Sequence, residues 1–252
     1  MYLSSQSKPM IATKFFPRIS LALLALVNLT SCDIAQNRVK GSGNVVKEQR
    51  QISSFHQLKV LGSMDVELTQ GTSTSAAVEA DDNILPLIEL KEEGDQLVVR
   101  IKKGYNVSNS KRMVVYLTTN EIEAASMAGS GDLKIINKFN SDREVKFGLS
   151  GSGNITGAIN APAVRASIAG SGDITLNGET KDLSVSIAGS GNYHGYELMA
   201  ENATVKIAGS GDVDLFASVK LDAKIAGSGN VNYKGTPQIS THIAGSGTVS
   251  QK

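Results

Sequence analysis

The chain has 252 residues, with 25 Lys+Arg against 24 Asp+Glu, 25 Gly, 5 Pro, one Cys and no Trp. Three of the bases (Lys8, Lys14, Arg18) and none of the acids precede Cys32, so the remainder carries 22 bases against 24 acids, a net charge of −2. That balance excludes a nucleic-acid partner, which needs a concentrated basic face, and the length suits one elongated domain.

Residues 1–31 read as a secretory signal. Lys14 and Arg18 form its charged part, and Ile19 to Leu29 is an apolar run of eleven residues, too short to span a bilayer as a helix. Met10 is a second candidate start. The run ends in Leu29-Thr30-Ser31-Cys32, which resembles a bacterial lipobox. Small residues before the cysteine admit the signal peptidase, and the thiol takes a diacylglycerol. The competing view is a buried free cysteine behind an ordinary signal. Acylated Cys32 would carry two or three chains, enough for stable anchoring, so the expected partner at this end is the membrane. Asp33 resembles an inner-membrane retention signal of the enterobacterial type, and the leaflet stays open. Residues 32–42 are expected to be the lipidated amino terminus and tether. With one cysteine, no internal disulfide can form.

Residues 43–128 are expected to be an irregular β portion. Strand-like runs occur at Gln57–Leu61, Val66–Gln70, Gln96–Lys102 and Met113–Thr118, and Asp82–Leu90 reads as a short helical or turn insertion. Asp81, Asp82, Glu92 and Glu93 read as turn and surface residues. Gly62-Ser63-Met64-Asp65 is a decayed copy of the motif that dominates the rest, and the 67 residues from Gly62 to Gly129 would fit three longer turns.

That motif is Gly-Ser-Gly-[Asn/Asp]. Copies begin at Gly41, Gly129, Gly151, Gly170, Gly189, Gly209, Gly227 and Gly245, and from Gly129 onward the steps are 22, 19, 19, 20, 18 and 18 residues. A period of this length signals stacked repeats. Six, four and two positions before the first glycine stand apolar residues such as Val164-Ala166-Ile168 and Leu183-Val185-Ile187, with polar or small residues between them. Period two means a strand with one buried face. A second short strand follows each tetrapeptide, as at Ile174 and Leu176. A repeat of ~19 residues at about 3.3 Å each makes a coil about 60 Å around. The expectation for residues 129–252 is therefore an all-β fold, a right-handed parallel β-helix of about 18–22 residues per turn, with a spine through Ile168, Ile187, Ile207, Ile225 and Ile243.

The two glycines supply a corner that needs positive φ or close approach, which glycine gives without a Cβ penalty. A phosphate-cradling loop would occur once, before a helix, whereas this one recurs between strands. The fourth position alternates acid and amide: Asp132, Asn154, Asp173, Asn192, Asp212, Asn230. Stacked carboxylates at about 4.8 Å would repel, and alternation gives each an amide donor, so these six residues are expected to form a structural ladder. The rival is calcium binding, but one acid per two turns falls short of converging ligands. The last copy carries Thr248 in this slot and no cap is legible beyond it. An open final edge invites strand pairing, so end-to-end self-association is one expectation.

Repeated AGSG[ND] after a strand, the lipoprotein signal and the segments VLGSMDVELTQG, VEADDNILPLIEL and GDQLVVRIKK resemble the putative auto-transporter adhesin, head GIN domain family of bacterial envelope proteins, over roughly residues 43–250. The resemblance implies a right-handed parallel β-helix and brings no catalytic residues.

Little else in the chain carries chemistry. His56, His194 and His242 lack metal-ligand spacing, no triad is legible, and neither cofactor nor metal is expected. Lys206 and Lys224 share one outward column and Lys146 and Arg165 the next, either a solubilising face or a weak anion or glycan contact. Tyr193 and Tyr233 fall in inward columns and read as core, whereas Tyr196 could stack on a sugar. The expected function is a non-enzymatic envelope lipoprotein, lipid-anchored on an undetermined face, whose rigid surface meets a protein or glycan. The alternatives are a polysaccharide-active enzyme, which needs clustered outward acids in a groove, and a purely structural envelope component.

Overall fold

The structure is a computed structural model that describes residues 37–108 and 110–252. The signal segment and Cys32 lie outside the described residues. Apart from a single 3-10 turn at Leu85–Leu87, all regular structure among the described residues is β.

The repeat folds as its alternation dictates. Strand Ala124–Gly129 pairs in parallel with Val145–Gly151, and the pairing continues through Asn154–Gly170, Asp173–Gly189, Tyr193–Gly209, Val213–Gly227 and Gln238–Gly245. The result is a β-solenoid of about seven turns, as the spacing predicts. Gly62 and the seven motif glycines from Gly129 to Gly245 lie in one unbroken register. Two residues earlier Val60, Met127, Leu149, Ile168, Ile187, Ile207 and Ile225 form the spine, each no more than 2% exposed. Burial of each such side chain is worth roughly 1.5–3 kcal/mol.

Both glycines of the motif answer one close approach. The carbonyl of Gly170 points up the stack and accepts from the N–H groups of Ser190 (2.9 Å) and Gly191 (3.0 Å) in the turn above. A Cβ on Gly189, whose φ is +132°, would lie 2.4 Å from that carbonyl oxygen, and a Cβ on Gly191 would lie 2.1 Å from the carbonyl of Gly172. Neither distance admits a side chain, so the hydrogen bond that stacks the corners requires glycine.

The amino-terminal part departs from the expected plan. Gly62 stacks directly on Gly129, so the segment between them is no set of three stacked turns. Instead Gln96–Ile101 pairs in parallel beneath Gln57–Gly62, and Met113–Thr119 beneath Asp65–Gln70. The later segment thus forms the lower turn. Its outer edges are sealed by antiparallel partners: Ile88–Glu93 on Gln96–Ile101, and Ser75–Asp81 on Met113–Thr119. Val45–Arg50 then pairs antiparallel with Ser75–Asp81. A solenoid end must cover its strand edges, and this curled mixed sheet does so. Leu85 in the 3-10 turn is buried, as are Ile84 and Ile88 beside it, and all three join the continuous core.

The first motif copy is not a solenoid corner. Gly41 to Asn44 links strand Asn37–Lys40 to Val45–Arg50. It is pinned sideways: Ser42 Oγ and Asn44 Nδ2 donate to the carboxylate of Asp82, and Asn83 Nδ2 donates to the Lys40 carbonyl. No apolar alternation precedes this copy, so no buried strand drives it into the stack. Residues 37–40, placed in the tether by their sequence, pair in parallel with Tyr105–Ser108.

Candidate functional surfaces

The six alternating residues share one column on the corner after the glycines. Asn154 Nδ2 donates to Asp132 Oδ1 (2.9 Å), Asn192 Nδ2 to Asp173 Oδ1 (3.0 Å) and Asn230 Nδ2 to Asp212 Oδ1 (3.0 Å). The backbone N–H of Asp212 joins the second and third pairs by donating to Asn192 Oδ1 at 3.0 Å. Thr248 closes the top by donating from Oγ1 to Asn230 Oδ1 (2.8 Å). Below, Asp65 Oδ1 accepts from the N–H of Asp132 at 3.0 Å, so the decayed copy still occupies the column.

The outward cations divide into two kinds. Lys146 and Arg165 stand in register and share Glu144, at 3.3 and 3.0 Å. Lys206, Lys224 and His242 also stand in register, beside the exposed column Ala188, Ala208, Ala226 and Ala244, and with it they line a shallow concavity of about 400 Å³. Among the described residues the two lysines make no ion pair within 4.0 Å.

On another side of the coil Asn140, Asn160, Glu179, Met199 and Phe216 follow one another in register. With Asp142, Lys181 and Glu201 they line an open polar groove of about 550 Å³. Sequence reading missed this groove. Its residues lie on the side of the coil where turn length varies, and only an alignment anchored on the corner and carried around to Asn160 and Glu179 would have found it.

His194 does face outward, and its Nδ1 lies 3.3 Å from Asp214 Oδ2. Asp214 also accepts from Asn232 Nδ2 at 3.0 Å. Burial, then the charge of Asp214 and a hydrogen bond to it, push the Tyr196 phenol up to about 12. Lys234 Nζ sits 4.6 Å from the centroid of the Tyr196 ring. That cation already covers one face of the only outward tyrosine expected to stack on a sugar. His56 lies 2.7 Å from Asp95.

Tyr193 and Tyr233 are buried in the core. Tyr193 is fully buried, and a Cβ on Gly195 would fall 2.4 Å from its ring, so Gly195 gives up its side-chain space to the tyrosine. The phenol oxygen meets no partner among the described residues, and burial drives its pKa far up. Asp82 is a turn residue as expected, but Asp81 is fully buried where it closes its strand opposite Val45.

Stacked glycine corners around an apolar spine, with hydrogen-bonded ladders along the edges, define a parallel β-solenoid that displays a stiff outer surface. The chain belongs to the family described as "Putative auto-transporter adhesin, head GIN domain", whose model matches residues 54–237. Among solved structures it is similar to a "putative adhesin" from Bacteroides fragilis NCTC 9343, at 25% identity and a TM-score of 0.79 over 85% of this chain and 100% of that one. It is also similar to a "putative lipid binding protein" from Parabacteroides distasonis ATCC 8503, at 27% identity and 0.72 over 86% and 100%. A "putative adhesin" from the same strain matches at 25% identity and 0.69 over 86% and 100%. No curated protein matches the chain.

Proposed function

We infer that this is a non-enzymatic lipoprotein of a bacterial envelope, held to the membrane by lipid on Cys32, whose solenoid offers a rigid surface to a protein or glycan. The observation that carries the inference is the unbroken register from Gly129 to Gly245, which fixes the outer wall along its whole length. A wall already ordered spends little conformational entropy on contact. Lys206 and Lys224, without a carboxylate partner among the described residues and beside the alanine column, suit an anionic group on the ligand. The acid–amide column holds the corners through its hydrogen bonds. Membership of a family described as adhesins, and the lipobox at Leu29–Cys32, support the same conclusion.

Two measurements test it. Cys32→Ser should abolish fatty-acid incorporation and release the protein from membranes. Deletion of the gene should lower attachment of cells to their natural surface. If envelope integrity falls while attachment is unchanged, the protein is a structural component instead.

The groove supports a second reading, a polysaccharide-active enzyme, because Asp142, Glu179 and Glu201 line it together. Turnover of any member of a polysaccharide panel, lost in Glu179→Gln or Glu201→Gln, would establish it. An inert wild-type protein would remove it.

A further inference from the structure

The two ends of the solenoid are finished differently. At the lower end Gln96–Ile101 and Met113–Thr119 have their outer edges paired by antiparallel strands. At the upper end strand Gln238–Gly245 pairs below with Val213–Gly227, and among the described residues no strand pairs with its other edge. Its core-facing Ile239 and Ile243 are 43% and 40% exposed, whereas Leu221 and Ile225 one turn below are 0% and 2% exposed.

We propose that a second copy of this chain covers this edge, end on end, through a two-fold axis at Thr241. The proposal rests on the adhesin reading and gives it a partner. Antiparallel pairing about Thr241 sets Ile239 opposite Ile243 of the second copy and Thr241 opposite itself, so the inward side of the strand is self-complementary. Side chains on one face of the pair then continue the apolar column across the junction. The area is sufficient. A coil about 60 Å around with a wall about 10 Å thick presents roughly 600 Å² per copy, or about 1,200 Å² in all, inside the range of specific interfaces.

A head-to-tail stack would set Gln238–Gly245 against the lower rim strand Ile88–Glu93, whose exposed Lys91, Glu92 and Glu93 offer no apolar match to Ile239 and Ile243. The contact is therefore isologous and closes at two copies, with no filament. Strand Asn37–Lys40 pairs with Tyr105–Ser108 in the lower part of the fold, so the end that leads toward Cys32 lies away from the junction. Two molecules anchored on facing membranes could meet in this way.

The test uses the full chain with Cys32→Ser, which removes the other thiol. Sedimentation should give a dimer, and Ile243→Lys should weaken association at least tenfold. Ser240→Cys, on the outer face and about 8 Å from its own copy across the junction, should cross-link to itself with a short bis-maleimide. Gln238→Cys should not, because its two copies would stand about 20 Å apart along antiparallel strands. A monomer at high concentration, or equal cross-linking at both positions, would overturn the proposal. Cross-linking only to a different protein in cells would give the edge another occupant and overturn it too. A dimer in solution that is never displayed on cells would leave this inference intact and sink the adhesin reading.

Discussion

Asp173 Oδ1 accepts two hydrogen bonds from Asn192, one from its side-chain Nδ2 at 3.0 Å and one from its backbone N–H at 2.9 Å. One carboxylate oxygen therefore ties both the side chain and the main chain of the next turn. Asn230 binds Asp212 in the same way, at 3.0 and 2.7 Å.

Asn192→Asp should stack three carboxylates, at positions 173, 192 and 212, and remove the side-chain donor. Loss of the hydrogen bond and the added repulsion should cost about 1–3 kcal/mol. Asn192→Ser, which keeps a donor, should cost less. Urea unfolding at neutral pH, compared between the two variants, checks this, and high salt should narrow the difference.

Gly189→Ala should be far more damaging than Gly94→Ala. Both glycines have positive φ, +132° and +63°, but a Cβ on Gly189 would strike the Gly170 carbonyl at 2.4 Å while one on Gly94 meets nothing within 4 Å. The corner variant should lose about 3 kcal/mol or more, the open-turn variant about 1–2 kcal/mol. Thermal melts of the pair separate backbone clash from conformational preference.

Tyr193→Phe should leave the fold unchanged and raise stability by about 1 kcal/mol, because the deleted hydroxyl is buried without a partner among the described residues. A drop in stability would mean that the hydroxyl has a partner in solution.

The Gly41–Asn44 turn should loosen in acid. Hydrogen bonds from Ser42, then Asn44 and the backbone of Asn83, hold the Asp82 carboxyl below its ordinary value. A depressed folded pKa means that its contribution is fully present above the unfolded value of about 3.9 and is lost as pH falls through the folded value. Amide exchange at Ser42 and Asn44 should accelerate below about pH 4, and Asp82→Asn should flatten that dependence. Unchanged exchange in the wild type down to pH 2 would contradict the assignment.

The solenoid was legible because each inward site is sampled many times over: Ile168, Ile187, Ile207 and Ile225 repeat one environment, and translation by one turn leaves it unchanged. In the amino-terminal part the strands at Gln57–Leu61, Val66–Gln70, Gln96–Lys102 and Met113–Thr118 were legible, but their arrangement was not, because antiparallel pairing carries no translational repeat. A spacing of 67 residues cannot reveal that Gln96–Ile101 lies beneath Gln57–Gly62. The contact of His194 with Asp214 was within reach, since both stand two places beyond the ladder position in consecutive turns. The compensation between Tyr193 and Gly195 was not, because it depends on where one ring turns inside the coil.

If the protein is an adhesin, as proposed, its solenoid wall faces the outside of the cell. Its exposed lysines, among them Lys206 and Lys224, should react with a membrane-impermeant amine reagent on intact cells as completely as in the purified protein. Labelling of these lysines only after the cells are broken open would contradict that claim.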